Sequence, residues 1–493
     1  MKSAIVIGAG IGGIAIAARL ARNGFNVTVF EKNSTPGGRF SKIERNGFCF
    51  DTGPTLFLMP EIFAETYNSL GERMEDHLDL IRLDPTYRVH LHDKTTIDLT
   101  ADLNDMRVQL DAIEPGSFEA YLRFLSEGYR HYYLSLKHFV GRNFITPLEF
   151  FSPKNIPLIF NLKALTTHYN NVSKYFHDPR LQAVFSFQNM YLGLSPYEAM
   201  ATYSLLQYTE LAEGVWFPKG GMYKTVETLV SIAEGLGVKF NYNTPVSKID
   251  VDGSKASGIT LADGESVKAD LVIANADLPY VYSKLLPDNI MSKKLEKKKY
   301  TSSALMFYLS IKCDRSQQLL HHNVFLADHR YKESFTNIFH DLTLPEEPSF
   351  YVCAPTRTDP SFAPPDGDSL LVLVPVGHIN NQNLQDWNSI KQRAREFVLL
   401  KLSELGIENL SSKIIFEETI GPLDYLNSMN LAKGSAFGLS HNFTQVGYLR
   451  PHNRHSRYKN LYFVGASTHP GTGVPIVLIS ARLVMERILS EKW

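Results

Sequence analysis

Cysteine is scarce in this chain: Cys49, Cys313 and Cys353 are the only three in 493 residues, and no two of them form a C-x-x-C pair. That scarcity argues against a disulfide framework or a zinc ribbon and makes a reducing compartment the expectation. An excess of positive charge is missing too. Lys and Arg number 50 against 51 Asp and Glu, net −1, so the basic footprint of a nucleic-acid binder is lacking. No apolar run reaches the roughly 18 residues that carry a helix across a bilayer. The stretch from Met1 to Ala21 superficially resembles a secretory signal. Its glycines come at ordered spacing and the same structural unit continues past it, so it is expected to stay attached. Internal repeats are not evident. His452 and His455 have metal-like spacing but no second pair of ligands, so no metal is expected and they read as polar loop residues near Arg450 and Arg454.

What the chain does contain begins with Ser3 to Ile7, a short apolar run followed by Gly8-Ala9-Gly10-Ile11-Gly12-Gly13 and then Ala, Ile and Leu at helical spacing. This reads strand, turn, helix, and a second apolar run from Val27 to Phe30 completes a βαβ unit. Gly8, Gly10 and Gly13 form G-x-G-x-x-G, whose glycines let backbone N–H groups approach a pyrophosphate at the helix N-terminus. Glu31 ends the second strand 18 residues after Gly13, where a carboxylate accepts hydrogen bonds from a ribose. Dinucleotide binding follows, but the fingerprint leaves NAD and FAD open because both carry the same ADP half. Pro36-Gly37-Gly38-Arg39 adds a close backbone and a fixed cation beside the phosphates. Far away, Gly465 to Pro475 ends in another helix N-terminus, suited to the negative charge of a reduced flavin.

The length favours two or three folding units. From Phe118 to Leu136 the apolar and aromatic residues fall at helical spacing, while Phe144 to Leu165 is broken by Pro147, Pro153 and Pro157 and predicts short helices and loops with exposed apolar groups. Ser195-Pro196-Tyr197-Glu198 has the form of a capping box and predicts a helix start. A helix is expected from Thr225 to Leu236. Two Asp-Gly turns, at Asp252-Gly253 and Asp263-Gly264, then separate strands expected at Lys248 to Val251, Gly258 to Leu261 and Ala269 to Ala274, predicting a meander. Further strands are expected at Ala304 to Ile311 and Leu370 to Val376.

Five stretches together resemble the bacterial and fungal type of carotenoid desaturase within the amine-oxidase-like flavoproteins. They are Gly8 to Gly13, Glu31 to Arg39, Phe50-Asp51-Thr52-Gly53-Pro54, Gly214 to Met222 with its W-F-P-K-G-G core, and Gly465 to Pro475 with H-P-G-T-G-V-P. The resemblance runs nearly end to end and implies an α/β (α+β overall) architecture: a Rossmann-like FAD-binding domain, a discontinuous mixed-sheet substrate domain and a helical membrane-facing region. The expected division is 1–75, 215–290 and 455–493 for FAD, 76–115 and 291–454 for substrate, and 116–214 for the helical region. FAD contacts are expected from Gly8, Gly10, Gly13, Glu31, Gly38, Arg39, Gly53, Pro54, Val246, Gly465, Gly473, Val474 and Pro475.

The implied substrate is an acyclic carotenoid precursor, phytoene or the thirty-carbon dehydrosqualene, and the reaction is hydride transfer to flavin with loss of a proton. No residue is marked as the proton acceptor. Glu210 and Glu213 have a claim, but on a polar helix end they read as solvated; His469 reads as a structural hydrogen-bonding residue. Lys137, Lys154 and Lys163 among Phe, Leu and Ile suggest peripheral, monotopic attachment on the cytoplasmic side of a membrane, without a transmembrane helix. Quinone or oxygen would take the electrons. A hydroxycarotenoid 3,4-desaturase, a flavin-dependent carotenoid isomerase and a non-catalytic prenyl-chain-binding protein are the competing readings.

Overall fold

The computed structural model describes residues 1–286, 289–313, 315, 319–380, 385–406 and 409–491. Three distant stretches of chain meet in a five-stranded parallel sheet, in the order Leu461–Phe463, Leu271–Ala274, Ser3–Ile7 (β1), Asn26–Phe30 (β2), Lys239–Asn241. Parallel strands need cover on both faces, and the alternation of β1 supplies it. Ala4 and Val6 face helix α1, Ile11–Arg22, whereas Ile5 and Ile7 face the antiparallel strands Val246–Asp252 and Lys255–Leu261. Helix α1 is rich in Ala, which lets it pack closely against helices Lys224–Gly235 and Val474–Ser490. The expected meander forms, with Ser266–Lys268 as its third strand.

Leu271–Ala274, expected as the last strand of that meander, is instead an inner strand of the parallel sheet. All four of its residues are buried, the signature of a strand covered on both faces rather than of a half-exposed hairpin. Nor does a helix open at Pro196. The Ser195 hydroxyl accepts from Tyr197 N at 3.3 Å and one turn closes onto Ser195 O, but the chain is then pulled aside: His168 N donates to Ala199 O and Ala201 N to Thr166 O, each at 2.8 Å.

The second layer is a seven-stranded mixed sheet, in the order Ile414–Ile420, Ser303–Lys312, Gly367–Val376, Phe350–Cys353, His322–Phe325, Tyr87–His90, Thr96–Leu99. Its one parallel pairing joins His322–Phe325 to Tyr87–His90. Helix Ser117–Ser135 forms where the spacing predicts one and buries Phe118, Tyr121 and Tyr132, whereas Leu122, Tyr129 and Tyr133 are exposed; short helices at Pro147–Phe150 and Ile156–Asn161 follow.

Candidate functional site

A cavity of about 980 Å³ opens beyond the carboxyl ends of β1, Leu271–Ala274 and Leu461–Phe463, where Gly8, Asn275 and Val464 stand on its wall. This is the crevice where open α/β sheets bind ligands. Its wall also includes Met306, Tyr351 and Leu373 of the mixed sheet and Phe139, Phe150 and Ile159 of the helical segment. Loops and polar backbone make part of that wall and apolar side chains the rest.

Four separated motifs are tied together on the polar part of that wall by hydrogen bonds to backbone. Glu31, buried at the end of β2, accepts from Ala9 N at 2.7 Å through Oε2 and from Asn33 N at 2.9 Å through Oε1. Gly37 N donates to Ala9 O at 2.7 Å, which lays the Pro36-Gly37-Gly38-Arg39 loop against the first glycine loop. Tyr223 donates its hydroxyl to Pro36 O at 3.0 Å. Asp51 accepts from Met222 N and Tyr223 N, both at 2.8 Å, so the F-D-T-G-P and W-F-P-K-G-G-M stretches are two halves of one joint. Burial pushes the Asp51 carboxyl up to about 6, against the pull of those two N–H donors.

Two helix N-termini face the cavity, α1 after Gly10 and Val474–Ser490 after Gly473. Neither has a side-chain cap or an acidic residue in its first turn, so their N–H dipoles are left for an anionic ligand. Gly53 shows how tightly the floor is built: at φ +121° a Cβ there would lie 2.1 Å from Arg39 O. These features fit a flavin dinucleotide, with one dipole for a pyrophosphate and a second for the ring that gains charge on reduction.

The profile described as flavin containing amine oxidoreductase matches residues 11–489. A zeta-carotene-forming phytoene desaturase of Myxococcus xanthus is 49% identical over 99% of this chain and 93% of its own length. The chain belongs to the flavin-containing amine oxidoreductases, among the carotenoid desaturases. A 4,4'-diapophytoene desaturase of Staphylococcus haemolyticus is 34% identical over 99% of this chain and 98% of its own. The solved structure of wild-type putrescine oxidase bound to putrescine shares the fold, with a TM-score of 0.63 at 14% identity over 99% of both chains. This chain is therefore an FAD-dependent oxidoreductase with an α/β fold.

Of the residues expected to contact FAD in this desaturase-family flavoenzyme, Gly8, Gly10, Glu31, Gly38, Arg39, Gly53, Pro54, Val246, Gly465, Gly473, Val474 and Pro475 all line the cavity. They are the residues that would hold the cofactor. Gly13 is not on that wall. A Cβ on Gly13 would lie 2.1 Å from Gly8 O, so its role is to let α1 close on β1. Replacement of Glu31 by Ala would leave Ala9 N and Asn33 N without their acceptor, at about 1–3 kcal/mol for the buried Ala9 donor. FAD affinity is expected to fall by about 10- to 100-fold, as measured by flavin fluorescence on dilution.

Several working residues escape sequence reasoning. Asn275, just past Leu271–Ala274, donates Nδ2 to Val464 O at 2.9 Å and N to Ile7 O at 2.8 Å, joining the three strand ends beneath the glycine loop. Asp277 accepts from Ala432 N at 3.0 Å and from the Ser467 hydroxyl, and burial raises its carboxyl above the ordinary range. Arg450, which the sequence does not single out, is almost wholly buried. It donates to Thr468 O, Ser440 O, Gln445 O, Leu439 O and Ala466 O at 2.5–3.4 Å and so holds the C-terminal loop from beneath. His441 Nε2 accepts from Thr472 N at 3.0 Å.

Other expectations on polar residues are corrected. Glu210 is not solvated: it is fully buried, and neither carboxylate oxygen makes a hydrogen bond, although Tyr191 and Gln188 lie beside it. Desolvation holds its carboxyl well above the ordinary range. Glu213 is half-buried and pushed up to about 7, by burial first and the Glu61 carboxylate second. Neither stands on the cavity wall. His455 is buried and caps a turn, accepting from Arg457 N and Tyr458 N at 3.0 Å. Lys163, expected to meet lipid head groups, bonds Glu127 and, at 2.8 Å, Asn171 Oδ1. That pairing neutralises it. His469 bonds through Nε2 to Arg142 O at 2.8 Å, a structural contact as expected.

Proposed function

We propose that this flavoenzyme desaturates phytoene, drawn from a membrane into the apolar part of its cavity. The carrying observation is that one continuous cavity joins the helix N-terminus at Gly473 to the apolar walls around Phe139, Phe150 and Ile159. When bound, FAD supplies the hydride acceptor that loss of hydrogen from neighbouring carbons needs. Gly465, Gly473 and Val474 would present backbone to the flavin, Glu31 would meet the ribose, and apolar side chains would hold the polyene and exclude water. The two electrons would then pass to quinone or oxygen. The forty-carbon substrate is favoured over its thirty-carbon counterpart because a phytoene-named relative stands at 49% identity and a diapophytoene-named one at 34%.

Anaerobic incubation of the FAD-loaded protein with liposomes carrying phytoene or dehydrosqualene tests this. Flavin bleaching with red-shifted products from phytoene is expected. Bleaching with dehydrosqualene alone would overturn the chain length. Isomerised polyene without bleaching would overturn desaturation and favour an isomerase.

Membrane attachment is part of the proposal. No helix among the described residues is long and apolar enough to cross a bilayer. Leu148, Phe160 and Leu165 are nonetheless 80%, 67% and 68% exposed, on the segment whose Phe150, Ile159 and Leu162 line the cavity. Lys137 and Lys154 stand exposed nearby to meet head groups. The expected division, with 116–214 as the membrane-facing region, rests on the same segment. Replacing Leu148, Phe160 and Leu165 together by Asp is expected to abolish liposome co-sedimentation and cut turnover of liposomal phytoene by about tenfold or more, with flavin content unchanged. Sedimentation equal to wild type would refute the attachment.

A further inference from the structure

His321, His322 and Cys353 form a cluster that the proposed reaction does not use. A nitrogen of each ring and the Cys353 sulfur lie within 4.8 Å of one another, and no residue of the three is more than 5% exposed. His322 sits directly opposite Cys353 across the antiparallel pair Phe350–Cys353 and His322–Phe325, which puts their side chains on one face of the sheet. Each imidazole is held at one nitrogen. His321 Nδ1 meets the Thr358 hydroxyl at 2.6 Å, and His322 Nδ1 meets the Tyr351 hydroxyl at 2.6 Å. Tyr351 passes its own proton to Thr55 at 2.9 Å, so His322 Nδ1 carries the hydrogen and Nε2 is left with a bare lone pair. Neither Nε2 has a hydrogen-bond partner. Phe217, whose ring centre is 4.7 Å from that of His321, and Tyr87, 5.5 Å from His322, leave the surroundings largely apolar.

Buried polar atoms are rarely left unpaired, and two such nitrogens beside a thiol form a nitrogen–sulfur donor set. Imidazoles fixed at one nitrogen and open at the other are also how metal-binding histidines are oriented. We propose that His321, His322 and Cys353 bind one soft, thiophilic metal ion, and that monovalent copper suits them best. On binding, the Cys353 S–H bond breaks, its proton leaves to solvent and a metal–thiolate bond forms, with no change in oxidation state. Copper(I) with one thiolate is neutral, as this apolar setting demands. A divalent ion would leave a net positive charge, and of the charged groups around the site Arg357 is matched by Asp368 at 2.8 Å while Asp51 is held by Met222 N and Tyr223 N. The site stands just behind the cavity wall, since Tyr351 and Thr55 belong to both.

The test uses FAD-loaded protein, produced with copper in the medium or titrated anaerobically with copper(I) against a colorimetric chelator, and a parallel titration with zinc. One copper per chain is expected, with an X-ray absorption spectrum of two nitrogens and one sulfur. Cys353→Ser is expected to weaken copper binding at least 100-fold while keeping flavin content; Cys49→Ser and Cys313→Ser leave it unchanged. If Cys353→Ser does not fold, His321→Gln takes its place with the same expected loss. Absence of binding, or binding that survives these substitutions, overturns the site. Zinc bound where copper is not overturns the copper assignment.

Discussion

Replacing Arg450 by Ala is expected to lower stability by about 3–5 kcal/mol and to yield protein that loses its FAD during purification. The side chain makes five hydrogen bonds to main-chain carbonyls spread from Leu439 to Thr468, two of them in the loop that ends at Gly473. No carboxylate lies within ion-pair distance of it among the described residues, and burial lowers its guanidinium to about 10. The carbonyl dipoles are its hydrogen-bond partners, and the Asp277 carboxylate adds a longer-range attraction. Alanine would take the guanidinium donors from all five carbonyls, of which Ser440 O keeps Gln445 Nε2 at 3.1 Å, and the loop carrying Gly465, Gly473 and Val474 would lose its footing. Lys keeps the charge, but a compact ammonium with three donors cannot span five acceptors, so Arg450→Lys is expected to recover only part of the loss. Melting temperature and the flavin-to-protein absorbance ratio read both effects. A variant that keeps one FAD per chain and melts within about 2 °C of wild type would remove Arg450 from this role.

Which parts of the site are legible in the sequence follows from how far each residue's partners lie along the chain. Gly8, Gly10 and Glu31 announce themselves because a strand, a turn and a helix of fixed length must follow one another locally. Gly473 to Pro475 does so because proline and glycine mark a helix start. Arg450, Asn275 and Asp277 give no such signal. Their partners are chiefly backbone groups contributed by other segments, and a backbone carbonyl or N–H has no sequence identity. Leu271–Ala274 was ambiguous for a related reason: a short apolar run after a hairpin reads as a third meander strand until its neighbours on both sides are known. Lys163 and Glu127 illustrate the same limit for charge, since a lysine among aromatic residues reads as a lipid-facing cation when its acid lies a whole helix away.

Glu210 reads as solvated from its polar neighbourhood, and its burial leads to the second large effect. Substituting Gln for Glu210 is expected to make the protein more stable than wild type, by a margin that grows with pH. Both carboxylate oxygens are buried, and desolvation raises the folded-state pKa well above the ordinary glutamate value against the weaker pull of Tyr191 and Gln188. The sign follows from linkage. A carboxyl whose pKa is raised on folding contributes stability fully below the unfolded-state value near 4.5, and that contribution is lost as pH rises towards the folded-state value. Each pH unit crossed in that window costs wild type about 1.4 kcal/mol, because the unfolded chain sheds a proton that the folded chain must keep. Gln matches the size and polarity of the neutral acid but has no proton to lose, so it escapes this cost. Denaturant unfolding at pH 4, 6 and 8 should therefore show the two proteins level at pH 4 and diverging above it. A constant gap would mean that Glu210 titrates alike in both states. Turnover separates a further role: Tyr191, beside Glu210, is on the cavity wall, whereas Glu210 is not. Activity of Glu210→Gln within about twofold of wild type would leave Glu210 as a buried neutral acid of structural consequence only, whereas a loss of 100-fold or more would bring it into proton transfer through Tyr191.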